Sequence, residues 1–132
     1  MIVGIGLDIV ELERVQRIVA QSYGTKFVER VLTKRERARW DGLSSRRAIE
    51  YLAGRLAAKE AVVKALGCGI GAKVGFQDIE ILADDQGKPV CTLTSASWNR
   101  LKLHSGRHLI HVAITHERKL AAASSVVEFV PS

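Results

Sequence analysis

The chain has 132 residues, 47% of them hydrophobic and 26% charged, with 20 Lys and Arg against 14 Asp and Glu, a formal net charge of +6 and a pI near 9.7. That length suits one domain, residues 1–132, with a real core and little room for a second, and no apolar run approaches the ~20 residues that cross a bilayer. The positive balance calls for an anionic partner, but a 5% aromatic content and the lack of any helix-turn-helix, zinc-finger or RNP pattern leave a base-stacking nucleic-acid surface unsupported.

Residues 1–10 (M-I-V-G-I-G-L-D-I-V) alternate as a buried strand, with Val3, Ile5, Leu7 and Ile9 on one face and Gly4, Gly6 and Asp8 on the other. The two glycines beside a lone acid leave room for something to approach the backbone closely. Asp8 either caps the following helix or belongs to a site. The acids Asp8, Glu11 and Glu13, and the want of a basic start, do not read as a signal peptide.

Residues 11–21 follow as a helix with Leu12, Val15, Ile18 and Val19 inward, which puts Arg14 and Arg17 on a more exposed side, solvated or free to meet an acidic partner. After a break at 22–25, a short helix is expected over 26–32. Thr33-Lys34-Arg35-Glu36 is a capping box that starts another helix running to about Trp40. Arg46 and Arg47 then open a long helix, an unfavourable place for positive charge against the helix dipole unless an anion is near.

That long helix organises the chain. Ile49, Leu52, Ala53, Leu56, Ala57 and Val63 form an apolar stripe at three- and four-residue spacing, and Ala58, Ala61, Val62 and Ala65 make the opposite face apolar too. Glu60 falls within the stripe and Lys64 at its edge one turn on. They are either a solvated i, i+4 pair, worth about 0.3–0.5 kcal/mol, or a carboxylate that needs a cation or metal to offset its burial. Gly67, Gly69 and Gly71 stop the helix and free the backbone for a tight loop.

Beyond the glycines, residues 76–82 and 88–93 read as a hairpin around the 84–87 turn, 95–104 as an amphipathic helix ended by Gly106, and 108–115 and 120–130 as two strands. His116, at a strand end beside a turn, is the histidine best placed for chemistry. Cys68 and Cys91 form no CxxC or zinc pattern, so reduced thiols and a cytoplasmic location are expected. The whole is an α+β domain, a mainly antiparallel sheet packed around the long helix.

Two stretches together resemble the signature motifs of the phosphopantetheinyl transferases, and among them the small bacterial type. One is G-I-G-L-D-I-V-E-L, residues 4–12, carrying Asp8; the other is G-R-L-A-A-K-E-A-V-V-K-A-L-G-C-G-I-G, residues 54–71, carrying Glu60 and Lys64. F-V-E-R-V-L-T-K-R-E from Phe27, D-D-Q-G-K-P-V from Asp84 and I-T-H ending at His116 match more loosely, with Thr115 where the family usually has Ser. The resemblance implies the phosphopantetheinyl transferase fold and transfer of the 4′-phosphopantetheine arm of coenzyme A to a serine of apo-acyl carrier protein, releasing adenosine 3′,5′-bisphosphate, in support of fatty acid biosynthesis.

It also implies Mg²⁺ held by Asp8 and Glu60, with Lys64 on a phosphate oxygen or the leaving group. Arg46, Arg55, Lys59, Gly67, Gly69 and His116 would lie at the nucleotide, and Arg14 and Arg17 would dock the acidic carrier. The base for the serine is either Glu60 or a water. The small type is a homotrimer with sites between subunits, neither membrane-bound nor nucleic-acid-binding. Two other classes explain part of the sequence: a basic nucleic-acid module would account for the pI, and a metal-dependent phosphohydrolase for the carboxylates.

Overall fold

A computed structural model describes residues 1–131. In chain order the elements are β1 (Ile2–Glu11), α1 (Leu12–Val19), α2 (Gly24–Val31), α3 (Lys34–Trp40), α4 (Ser45–Leu66), β2 (Ile79–Ala83), β3 (Pro89–Leu93), α5 (Ser95–Leu101), β4 (His108–His116) and β5 (Leu120–Phe129). The strands form two antiparallel sheets, one in the order β1-β5-β4 and the other the β2-β3 hairpin. The α+β expectation holds, with the sheet divided in two.

Helix α4 is the spine. Leu52, Ala53, Ala57, Ala58, Ala61 and Val62 are wholly buried, so the helix is covered on nearly every side within the single chain. One cover is β1, and the approach is closest at its glycines. A Cβ on Gly4 would run into the carbonyl oxygen of Ala65, and one on Gly6 into that of Ala61. Small residues on both partners let strand and helix backbones meet, which brings Asp8 on the same face of β1 over the C-terminal half of α4.

The other face of β1 departs from the expectation of a buried strand. Val3, Ile5, Leu7 and Ile9 are 51%, 71%, 60% and 58% exposed. Alternation identified two faces correctly but assigned burial to the apolar one. The glycine face packs instead, because α4 approaches where side chains are absent.

Some boundaries shift for local reasons. Thr33 and Glu36 make the capping box at the start of α3, as the sequence predicts. Strand β1 runs through to Glu11, which is itself the N-cap of α1, so Asp8 caps nothing. Helix α5 ends at Lys102, in the left-handed region at φ 58°, rather than at Gly106. Phe76–Asp78 is a 3₁₀ turn that precedes β2 instead of its first residues.

Candidate active site

Three residues of the two motifs converge where β1 crosses α4. Lys64 Nζ donates to Asp8 Oδ1 at 3.0 Å and to the carbonyl oxygen of Leu7 at 3.0 Å. Glu60, one turn before Lys64, is half-buried. Its carboxyl is held above the usual carboxylate range, first by burial and then by the negative charge of Asp8, against the lowering pull of Lys64. Two carboxylates and an ammonium thus share one partly open place, an arrangement that favours the second of the sequence alternatives for Glu60, a carboxylate that needs a cation or metal.

This donor set fits a hard divalent cation. Two carboxylates disfavour each other's ionisation, and a cation between them relieves both that repulsion and the desolvation of Glu60. Among the described residues no group of three or more His, Cys, Asp and Glu side chains lies together. A hard cation such as Mg²⁺ typically takes only one or two protein carboxylates and completes its shell with water and phosphate. Thiolate chemistry is disfavoured as well: burial pushes the Cys91 thiol up to about 12 and raises that of Cys68.

Gly67 follows Lys64 as the left-handed stop of α4, with φ 78° and its N–H donating to the carbonyl of Lys64 at 3.1 Å. Gly67 and Gly69 are exposed, with open space where a Cβ would stand. The loop thus lies beside Lys64 without being packed shut.

A second group sits elsewhere on α4. Arg55 and Lys64 are nine residues apart, about 180° around the helix. Arg55, Arg39, Arg47, Tyr51 and His116 line a cleft of about 360 Å³ with Glu50 their acidic neighbour. Arg55 lies over the Tyr51 ring at 4.4 Å, and its Nε donates to the Ile81 carbonyl at 3.1 Å. His116 Nδ1 is 3.6 Å from Glu50. A basic cleft and a carboxylate site therefore stand on opposite sides of α4 within one chain.

Two expected nucleotide contacts are placed differently. Arg46 donates to Glu50 at 3.2 Å and to the Arg118 carbonyl at 2.8 Å, at the edge of a separate groove of about 1130 Å³ that holds none of Asp8, Glu60 and Lys64. Its neighbour Arg47 lines the cleft instead. Lys59 is a correction. It is wholly buried, and its ammonium meets Glu36 at 2.7 Å, the Val31 carbonyl at 2.7 Å and the Phe76 carbonyl at 3.0 Å, so it has no donor left for a ligand. Glu36 is the residue that sequence reasoning passed over; its only signal was the capping box. Arg14 and Arg17 are exposed on α1, with Arg17 3.5 Å from Glu13.

Both the sequence and the fold are similar to those of known proteins. A holo-[acyl-carrier-protein] synthase of Geobacillus kaustophilus is 47% identical over 128 residues, covering 97% of this chain and 90% of the relative. A crystal structure of a holo-(acyl-carrier-protein) synthase from Bacillus anthracis, in complex with CoA (3′,5′-ADP), is 43% identical with a TM-score of 0.83, covering 98% of each chain. The enzyme of Neisseria meningitidis is 36% identical with a TM-score of 0.86, over 97% of this chain and 99% of that one. Residues 4–123, from the first glycine of β1 to the middle of β5, match the family pattern itself, and with it the chain belongs to the 4′-phosphopantetheinyl transferase superfamily.

Proposed function

We propose that this protein transfers the 4′-phosphopantetheine arm of coenzyme A to a serine of apo-acyl carrier protein, releasing adenosine 3′,5′-bisphosphate. The observation that carries this reading is the meeting of Asp8, Glu60 and Lys64 where β1 packs on α4. The serine oxygen forms a bond to the phosphorus that carries the pantetheine arm. The bond from that phosphorus to the bridging oxygen breaks, and the nucleotide leaves with the electron pair while the serine proton passes to a base.

Asp8 and Glu60 would hold Mg²⁺, which when bound would supply positive charge against the pyrophosphate. Lys64 can exchange its contact with Asp8 for a phosphate oxygen, and being half-exposed it moves without breaking the core. In the cleft, Arg55, Arg47 and His116 bind the nucleotide's phosphate or base by charge-assisted hydrogen bonds. The exposed Arg14/Arg17 face docks the carrier, and the reaction serves cytoplasmic fatty acid synthesis.

The active unit in this reading is a homotrimer. Because the carboxylate site and the basic cleft lie on opposite sides of α4, one chain cannot close both around a single coenzyme A. The basic cleft of a neighbouring copy completes the site. The surface for assembly is the outward face of the β1-β5-β4 sheet, where Ile5 and Val126, Leu7 and Ser124, Ile9 and Ala122 lie side by side. The source of that apolar surface is not α4, which is already buried.

The test is mass spectrometry of an apo-acyl carrier protein after incubation with this protein, coenzyme A and Mg²⁺. A gain of one phosphopantetheine on serine, lost when Mg²⁺ is chelated, is expected. Release of free phosphate with the carrier unchanged would overturn the reading. Sedimentation at assay concentrations should give three copies; a fully active monomer would reject the shared site.

A further inference from the structure

Glu36 carries more than a helix cap requires. In a capping box one carboxylate oxygen returns to the N-cap N–H, and the side chain is commonly solvated. Here the residue is wholly buried, and Oε1 accepts both from the Thr33 N–H at 2.7 Å and from Lys59 Nζ at 2.7 Å. The remaining oxygen, Oε2, reaches another element and accepts the N–H of Ile81 in β2 at 2.7 Å.

Ile81 is held from both ends. Its N–H meets Glu36 and its carbonyl accepts from Arg55 Nε. In an antiparallel strand these two groups of one residue point the same way. They form the free edge of the β2-β3 hairpin, which has no third strand. Arg55 lies over Tyr51, and the Tyr51 hydroxyl donates to the Glu36 carbonyl at 3.3 Å. The contacts close a ring: Glu36, Ile81, Arg55, Tyr51 and Glu36 again. Lys59 holds the carboxylate at the centre by a buried charge contact.

We propose that Glu36 and Lys59 are positioning residues that fix the guanidinium of Arg55 in the basic cleft, acting through the edge of β2 and the ring of Tyr51. A free arginine side chain loses several rotors when it grips an anion. With Nε tied to Ile81 and the guanidinium carbon 4.4 Å over the Tyr51 ring, Arg55 presents its two terminal nitrogens already ordered. This assignment rests on the reading that the cleft receives part of coenzyme A. It also gives the Lys-Glu pair of the second motif a division of labour: Lys59 serves the cleft on one side of α4, and Glu60 the carboxylate site on the other.

The test uses Glu36→Gln, which keeps the volume but turns one acceptor into a donor facing an N–H. A second variant, Glu36→Leu/Lys59→Met, removes the pair in favour of apolar groups, a replacement that buried ion pairs often tolerate. In the ligand-free protein, hydrogen exchange of the Arg55 Nε–H followed by NMR should speed up at least about tenfold in whichever variant is folded. The KM for coenzyme A should rise about tenfold with kcat within about twofold of the wild type. Adding Arg55→Ala to either variant should worsen KM by less than about twofold beyond Arg55→Ala alone, since the residues act as one unit. Unchanged Arg55 exchange in a folded variant, or KM effects that multiply, overturns the assignment. Failure of the wild type to bind coenzyme A would overturn the functional reading instead, and the exchange measurement still decides whether the ring holds Arg55.

Discussion

Two lysines of α4, five residues apart, each pair with a carboxylate from another element, Lys59 with Glu36 of α3 and Lys64 with Asp8 of β1, in surroundings that could hardly differ more. Lys59 and Glu36 meet at 2.7 Å with both side chains 0% exposed, and every donor of the ammonium is used. Lys64 and Asp8 meet at 3.0 Å with side chains 51% and 20% exposed, beside a half-buried Glu60 with no charge of its own to balance. The first pair is closed: nothing can enter without opening the core. The second is open and carries one carboxylate too many. A pair that is complete stabilises a position, whereas one left incomplete, in reach of solvent, is built to be completed by something else. Similar side chains on one helix are thus divided between architecture and chemistry by burial alone.

The sharpest way to break this comparison is to make the same substitution in both pairs. Lys59→Ala should cost about 3–5 kcal/mol of stability, because it leaves Glu36 as an uncompensated buried charge. Urea denaturation should show it as a lower midpoint. Lys64→Ala should leave that midpoint within ~0.5 kcal/mol of the wild type and lower kcat more than affinity for coenzyme A. If the two alanines destabilise equally, the distinction between closed and open pairs fails.

Next in size are the carboxylates. Asp8→Ala and Glu60→Ala should each lower kcat/KM for phosphopantetheine transfer at least about a hundredfold, as expected when charge stabilisation at a reacting phosphate is removed. Circular dichroism should remain that of the folded chain. Full activity of either variant at limiting Mg²⁺ would remove that residue from the site.

How much of this was legible in the sequence follows the same division. Asp8, Glu60 and Lys64 stood out in the sequence because their motifs are local and their types suit phosphate chemistry, and the structure brings the three together. The α+β class, the hairpin and the capping box were legible from periodicity and turn residues for the same reason. The Glu36–Lys59 pair was not, since it joins residues 23 apart through a core contact that no local pattern announces. For the same reason Lys59 was read as a ligand contact from its place in a motif. The burial of β1 within one chain was misread because alternation reports two faces and not which one packs on α4. Gly4 and Gly6 held the answer, as close backbone approach by α4 needs exactly that lack of side chain at two positions. Arg39 and Tyr51 joined Arg47, Arg55 and His116 only once α3, α4 and β4 were in place.

A smaller effect is expected away from both pairs. Arg14 and Arg17 are exposed on α1, which begins four residues after Asp8, and they would steer an acidic carrier toward the site. Arg14→Glu/Arg17→Glu should raise the carrier KM about tenfold, equivalent to ~1.4 kcal/mol, and leave the coenzyme A KM within about twofold. Rising salt should slow the wild type at low carrier concentration and slow the variant much less. A charge-reversed enzyme with the wild-type carrier KM and salt profile would move docking to the basic residues around Lys26 and Arg30.

The smallest effect concerns the excess carboxylate itself. Burial first, and then the charge of Asp8, raise the Glu60 carboxyl above its ordinary value, while Lys64 opposes them. A raised folded-state value means that the native protein binds the proton more tightly than the unfolded chain does. Its contribution to stability is fully present below the unfolded value and is lost as pH rises through the folded one. At neutral pH the ionised Glu60 therefore destabilises the metal-free protein slightly. Glu60→Gln should raise Tm at pH 7 without metal, and the gain should shrink as pH is lowered toward the ordinary carboxylate range. Mg²⁺ should then reverse the ranking, since binding to the native state stabilises the wild type in proportion to metal occupancy and the variant has lost a ligand. A Glu60→Gln protein whose Tm matches the wild type at every pH, and which responds equally to Mg²⁺, would mean that Glu60 is already balanced and that the open pair is no more in need of a cation than the closed one.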